Sequence, residues 1–167
     1  MTAADLLGLV ARGPVTVDDL PEDVDNLRIE LIDGSVYVTP LGDYEHQDLV
    51  MECSVLIRAD VPDGLRVLPG VNVIIGEQTL VIPDVAVVDP SFVVHRGLGV
   101  SPDGLRLAVE VSSPSTRRRD LTLKRELYRE WGVPYLIVDR STAPFTLRHD
   151  GALPPYAKAL TVLGESG

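Results

Sequence analysis

Ile82-Pro83-Asp84-Val85-Ala86-Val87-Val88, followed beyond a loop by Leu105-Arg106-Leu107-Ala108-Val109-Glu110-Val111-Ser112, decides how this chain is read. Both segments have the apolar, β-branched make-up of buried strands. Successive strand side chains point to opposite faces, so Asp84 is expected on one side with Ala86 and Val88. In the second segment Leu105, Leu107, Val109 and Val111 are expected to share a face, leaving Ala108, Glu110 and Ser112 on the other. A carboxylate in such a run needs a cationic partner or a metal, because an unpaired buried charge is too costly to keep.

The segment after Thr116 reads as an amphipathic helix. At about 100° per residue, Leu121, Leu127, Tyr128 and Trp131 fall in one arc, and Asp120 and Lys124 fall inside it. Two readings of Lys124 stand side by side. It either pairs with Asp120 four residues earlier, an acid-first spacing that helices favour, or reaches toward Glu110 and Asp84. Ser115 or Thr116 is expected to cap this helix, and Gly132 before Pro134 to end it. Arg118, Arg125, Arg129, Glu126 and Glu130 take its outer face, and Arg117, Arg118, Arg119, Lys124, Arg125 and Arg129 form a basic cluster along it, which reads as a solvated surface or as a row of phosphate contacts.

Outward from this centre, the chain of 167 residues suits one domain with a substantial core. No stretch approaches the roughly 18 consecutive apolar residues of a membrane span, and no signal peptide is visible. Cys53, the single cysteine, cannot form an internal disulfide and is expected to be buried, in keeping with a cytoplasmic protein.

Taken in order, residues 1–26 read as an N-terminal extension, with a short helix over Thr2 to Val10 and an acidic segment after Thr16 that is a short helix or a wrapping arm. Residues 27–167 read as the main domain. Leu27 to Ile32 and Val36 to Thr39 flank Asp33-Gly34-Ser35, a hairpin signal, with Glu30 on the first strand. A helix follows from Asp43, with Leu49, Val50, Cys53, Leu56 and Ile57 at helical spacing. Glu45 and His46 lie in its first turn, His46 being a helix-start hydrogen-bond donor or a neighbour of a metal or phosphate. Arg66 to Pro69, Val71 to Ile75 and Thr79 to Val88 read as strands, residues 89–104 as a surface loop able to gate a site, and Tyr135 to Asp139 and Phe145 to Arg148 as the last strands before a Pro-rich tail. The sum is an α+β domain of α/β/α type, a mixed central sheet with a helix on each side.

Pro83-Asp84, Glu110-Val111-Ser112-Ser113-Pro114-Ser115-Thr116, Lys124 and Gly132-Val133-Pro134, with Glu30-Leu31-Ile32-Asp33-Gly34 and Glu45-His46-Gln47 upstream, resemble the Uma-two family. That family is a branch of the restriction-endonuclease-like PD-(D/E)XK nucleases, and the resemblance spans Leu27 to Asp139. It implies the restriction-endonuclease-like fold and hydrolysis of phosphodiester bonds, most readily in DNA. Asp84, Glu110 and the Val111 backbone carbonyl would hold Mg²⁺, with Mn²⁺ as a substitute, while Lys124 would orient water or stabilise charge. Glu30, His46 and Ser112 are accessory candidates, and Arg117, Arg118 and Arg125 candidates for contacts to nucleic acid. Ser112 stands where the superfamily pattern has its lysine, which the family moves to the helix that carries Lys124. A homodimer would suit the cutting of two strands. The net charge of −10 argues against nucleic-acid binding by the whole surface and favours the alternative, a non-catalytic binding or regulatory module on the same fold.

Overall fold

The computed structural model describes Asp5, Gly8, Leu9, Ala11 and residues 13–20, 27–112, 117–142 and 144–166. Most of the Thr2 to Val10 helix, the arm over 21–26 and the Ser115 or Thr116 cap lie outside the described residues.

Strand β1 (Leu27–Ile32) and strand β2 (Ser35–Pro40) pair antiparallel. Asp33 and Gly34, with φ of 48° and 74°, form the two-residue turn between them. Such turns need two left-handed residues, which Asp-Gly supplies at little strain. Helix α1 (Tyr44–Asp60) starts where Asp43 Oδ1 accepts the His46 backbone N–H at 2.8 Å. This cap satisfies one of the amides that a helix N-terminus leaves free. Strands β3 (Arg66–Pro69), β4 (Asn72–Ile75), β5 (Thr79–Val81), β6 (Val85–Val88), β7 (Val93–Val94), β8 (Gly99–Val100) and β9 (Leu105–Ser112) follow. Helix α2 comprises an α-helical turn Arg117–Arg119, a π-helical stretch Asp120–Lys124 and an α-helical end Arg125–Glu130. Strands β10 (Tyr135–Asp139), β11 (Phe145–His149) and β12 (Gly164–Ser166) complete the order.

The strands form two six-stranded mixed sheets, β2-β1-β5-β4-β8-β7 and β12-β11-β10-β9-β6-β3. The second is the central sheet expected from sequence. On one of its faces Leu49, Val50, Cys53 and Ile57 of α1 pack against Val85, Val87, Leu107, Val109, Val111 and Val138. On the other, Tyr128 of α2 packs with Ala86, Ala108, Tyr135 and Ile137, and with Val73 and Val81 of the first sheet. Each fully buried aliphatic side chain contributes roughly 1.5–3 kcal/mol relative to exposure. Burial also pushes the Cys53 thiol up to about 12, so it behaves as a core residue. The chain passes from β9 through α2 into the parallel β10, so α2 is a crossover helix.

Four expectations are corrected. Thr79 to Val88 is not one strand: it breaks at Ile82-Pro83-Asp84, and its halves join different sheets. Pro83 has no N–H for a ladder, so Asp84 precedes β6 rather than lying within it. Leu105 packs with Ala108 and Val88 instead of with Leu107, because Val87 pairs with Leu107 and Val88 with Leu105, leaving Arg106 as a bulge. One extra residue reverses the alternation. The loop over 89–104 contains the β7 to β8 hairpin, and β8 joins β4. The tail is structured too. A 3-10 helix, Pro155–Leu163, buries Tyr156, Ala157 and Leu160 in the α1 core before β12 pairs with β11.

The 3-10 turn Val17–Asp19 sits on the first sheet, where Val15 and Val17 pack with Leu31, Ile74 and Leu80. Among the described residues no helix is long and apolar enough to cross a membrane.

Candidate active site

The break at Pro83 creates a gap between the two sheets, and polar side chains fill it. Ile82 N–H donates to Glu30 Oε1 at 2.8 Å, and the Ile82 carbonyl faces Lys124 Nζ and Arg28 Nη1, each at 3.4 Å. Main-chain groups that a continuous strand would have paired are instead bonded to side chains.

Lys124 lies at the centre, with its side chain 1 % exposed. Its Nζ is 2.7 Å from Glu110 Oε1 and 2.7 Å from Glu30 Oε1. Arg119 Nη2 reaches Glu30 Oε2 at 3.1 Å, with its guanidinium over the Tyr37 ring. The π-helical stretch turns both Asp120 and Lys124 inward, and the Tyr135 hydroxyl donates to the Asp120 carbonyl at 3.1 Å. Such stretches interrupt the regular ladder and often occur at functional sites.

Asp84 forms the second focus. Its Oδ1 meets Arg28 Nη1 at 2.5 Å, and its Oδ2 accepts the Val111 N–H at 2.8 Å and lies 3.2 Å from His46 Nε2. Gly42 permits that placement of the imidazole, since a Cβ there would fall 2.3 Å from His46 Nδ1.

The two foci line one cleft of about 240 Å³, together with Arg28, His46, Glu110, Arg119, Asp120, Lys124 and Arg140. A larger cleft of about 810 Å³ adjoins it, and Arg28, Leu41, Gly42, His46 and Asp84 line both.

The carboxylates are in opposite electrostatic states. Burial alone would raise Asp84, but the His46 hydrogen bond, the Arg28 charge and Lys124 overcome it and hold the group well below the ordinary carboxylate range. Glu110 is pushed well above that range, chiefly by burial and then by Asp84, Asp120 and Glu30, with Lys124 opposing. Burial would lower Lys124, yet Glu110, Glu30, Asp120 and Asp84 raise it, so the ammonium is retained.

The structure thus brings Asp84, Glu110, Lys124 and His46 to one cleft, with Glu30 buried and bonded to Lys124. Lys124 pairs with Glu110 and Glu30 directly and reaches Asp84 only through its field. The Ser112 side chain is buried beyond Glu110, and its hydroxyl has no hydrogen-bond partner among the described residues. Arg118 is exposed. Arg125 forms a two-pronged pair with Asp150 on the surface, and the Arg117 side chain lies outside the description. Arg28 and Arg140 are cleft residues that the sequence did not single out, and Arg119, read only as part of the basic run, turns in to meet Glu30. For Arg28 a signal existed: it lies two residues before Glu30 on β1 and therefore on the same face. Arg140, which pairs with Asp43 and Glu45, left none.

Among the described residues no three His, Cys, Asp or Glu side chains gather as a metal-binding group. Two carboxylates on one cleft are nevertheless a sufficient protein contribution for a hard cation that retains waters. Glu110 meets Lys124 through Oε1. A residue in a strand also turns its N–H and C=O to the same edge, so the Val111 carbonyl faces the side on which its N–H meets Asp84.

The Uma2 family model, described as that of a putative restriction endonuclease, matches residues 15–163. Among solved structures, a putative nuclease belonging to DUF820 from Anabaena variabilis superposes with a TM-score of 0.62 at 18 % identity, covering 87 % of this chain and 92 % of that one. At that identity the likeness speaks for a shared fold, the restriction-endonuclease-like α+β fold. No curated protein matches the chain. The family match takes in both helices, every strand but β12 and every cleft residue named above, and the chain belongs to the Uma2 family of restriction-endonuclease-like proteins.

Proposed function

We propose that the protein is a metal-dependent nuclease that hydrolyses phosphodiester bonds, with DNA as its substrate and Mg²⁺ as its cation. The observation that carries this reading is the meeting of Asp84, Glu110 and Lys124 on one 240 Å³ cleft, at the break between two sheets. Asp84, Glu110 and the Val111 carbonyl are the donors for the cation. When bound, it would acidify a water and polarise the phosphate. Lys124, fixed by two glutamates, presents an ammonium that neutralises charge as the bond to phosphorus breaks. Glu30 holds Lys124 in place and acts through it. His46 and the Val111 N–H orient the Asp84 carboxylate. Incubation of supercoiled DNA with the protein and Mg²⁺ or Mn²⁺ tests the reading: cleavage by the native chain and none by Asp84→Asn supports it, and equal cleavage by both removes Asp84 from the site.

A second reading rests on the same pairs. Asp84 is occupied by Arg28, and Glu110 by Lys124, so the network is closed by protein cations, as a non-catalytic module on this fold would have it. Calorimetry separates the two: heat of Mg²⁺ binding that disappears in Asp84→Asn marks a cation site, and its absence from the native chain marks an ion network.

A further inference from the structure

The two oxygens of Asp84 are engaged differently. Oδ2 has the Val111 N–H at 2.8 Å and His46 Nε2 at 3.2 Å, which fills its two lone pairs. Among the described residues Oδ1 has Arg28 Nη1 alone, at 2.5 Å. Any further cation must therefore approach Asp84 at Oδ1, where the guanidinium already lies.

Arg28 is also the cation with room to leave. Its side chain is 21 % exposed, against 1 % for Lys124. Its other bond is to the Ile82 carbonyl at 3.4 Å, the long end of the range. It lines both clefts, so the 810 Å³ volume lies beside it. Lys124, by contrast, is clamped between two glutamates.

We propose that Arg28 is an exchangeable counter-cation: it occupies Asp84 Oδ1 in the metal-free protein and gives up that oxygen, moving into the larger cleft, when a divalent cation binds. The proposal rests on the reading of Asp84 and Glu110 as cation ligands. Two cations on one oxygen repel, so the Arg28 pair weakens metal binding and metal binding weakens the pair by the same factor. Asp84 stays oriented throughout, because the bonds from Val111 and His46 do not involve Oδ1.

The test is calorimetric titration of the full chain with Mg²⁺ in the native form and in Arg28→Ala, Arg28→Gln and Asp84→Asn, alongside the Arg28 side-chain N–H resonances of the native protein. Loss of the guanidinium is expected to tighten Mg²⁺ binding at least about tenfold, the low end of what one neighbouring charge does to a carboxylate. Arg28→Gln, which keeps a donor without the charge, is expected to follow Arg28→Ala, and the native Arg28 resonances to shift on titration. Native binding that is lost in Asp84→Asn but unchanged or weaker in both Arg28 variants overturns the exchange and leaves the cation site standing. Static Arg28 resonances at saturating Mg²⁺ do the same even if Arg28→Ala fails to fold. Absence of binding in the native chain and both Arg28 variants overturns the site reading and the exchange together.

Discussion

Helix α2 carries two sets of charges on opposite faces, and they have little in common. On the inner face Lys124 has surrendered its hydration and lies between two carboxylates at 2.7 Å. On the outer face Arg125 pairs with Asp150, with side chains 47 % and 36 % exposed. The inner set cannot lose Lys124 without leaving buried carboxylates unanswered, whereas water answers for the outer one. Residue type does not distinguish the two faces; the neighbours and the water do. The most direct way to break the contrast is Lys124→Ala. It strands Glu110 and Glu30, and about 3–5 kcal/mol of stability is expected to disappear in metal-free urea denaturation, together with cleavage. A loss below about 1 kcal/mol would place Lys124 in the surface class.

Within the inner set the contrast sharpens, because Asp84 and Glu110 are held in opposite states. Asp84→Asn removes the charge that Arg28 and His46 stabilise and is expected to cost roughly 1.5–3 kcal/mol, the range for hydrogen bonds to charged groups. Glu110→Gln removes a charge that burial and like neighbours disfavour, so metal-free stability should hold or rise. Both should abolish cleavage. Equal losses in the two variants would contradict the opposite shifts.

The same pair sets a pH dependence. Glu110 has a folded pKa above its unfolded value of about 4.3. Its favourable contribution is therefore complete below that value and is lost as pH rises through the folded pKa. Asp84 has the opposite sign: its contribution is present above the unfolded value of about 3.9 and is lost as pH falls through the lowered folded pKa. Glu110→Gln should thus gain on the native protein as pH rises above about 4.3, and Asp84→Asn should draw level with it only in strong acid. Metal-free denaturation curves at a series of pH values check both signs. A Glu110→Gln difference that is flat with pH would show that Glu110 titrates normally.

What the sequence made legible follows the same division between local and assembled features. The Asp33-Gly34 turn and the inward arc of Asp120 and Lys124 are decided within a few residues, and each is found where spacing placed it. The position of Glu110 on the face away from Val109 and Val111 follows from strand alternation alone. Pro83 was visible, but nothing in 79–88 tells that the halves of that run enter different sheets. Arg106 as a bulge, and with it the side taken by Leu105, depends on the pairing partner β6. Arg28 on Asp84 joins residues 56 apart, and Arg140 meets Asp43 and Glu45 from the far end of β10. Such pairs exist only after the sheets have formed, so their members look like ordinary surface arginines in the sequence.

The outer face of α2 offers the smallest and most discriminating change. If Arg118 and Arg125 contact phosphate, each neutralises one charge and releases counterions, and removing both should reduce the slope of log affinity against log salt by about two, near one for each contact. Stability should barely move, since the Arg125 to Asp150 pair is exposed and worth about 1 kcal/mol at most. The two residues are not equivalent. Arg118 is exposed with no ion-pair partner among the described residues, while Arg125 must first leave Asp150. Arg118→Ala should accordingly lower affinity more than Arg125→Ala, and Asp150→Asn, which frees Arg125, should raise it. Fluorescence anisotropy of a labelled DNA duplex with metal-free protein over a range of salt concentrations measures the native chain and the four variants without cleavage. A slope unchanged in the double variant assigns this face to water and leaves the inner face as the chain's only functional use of α2.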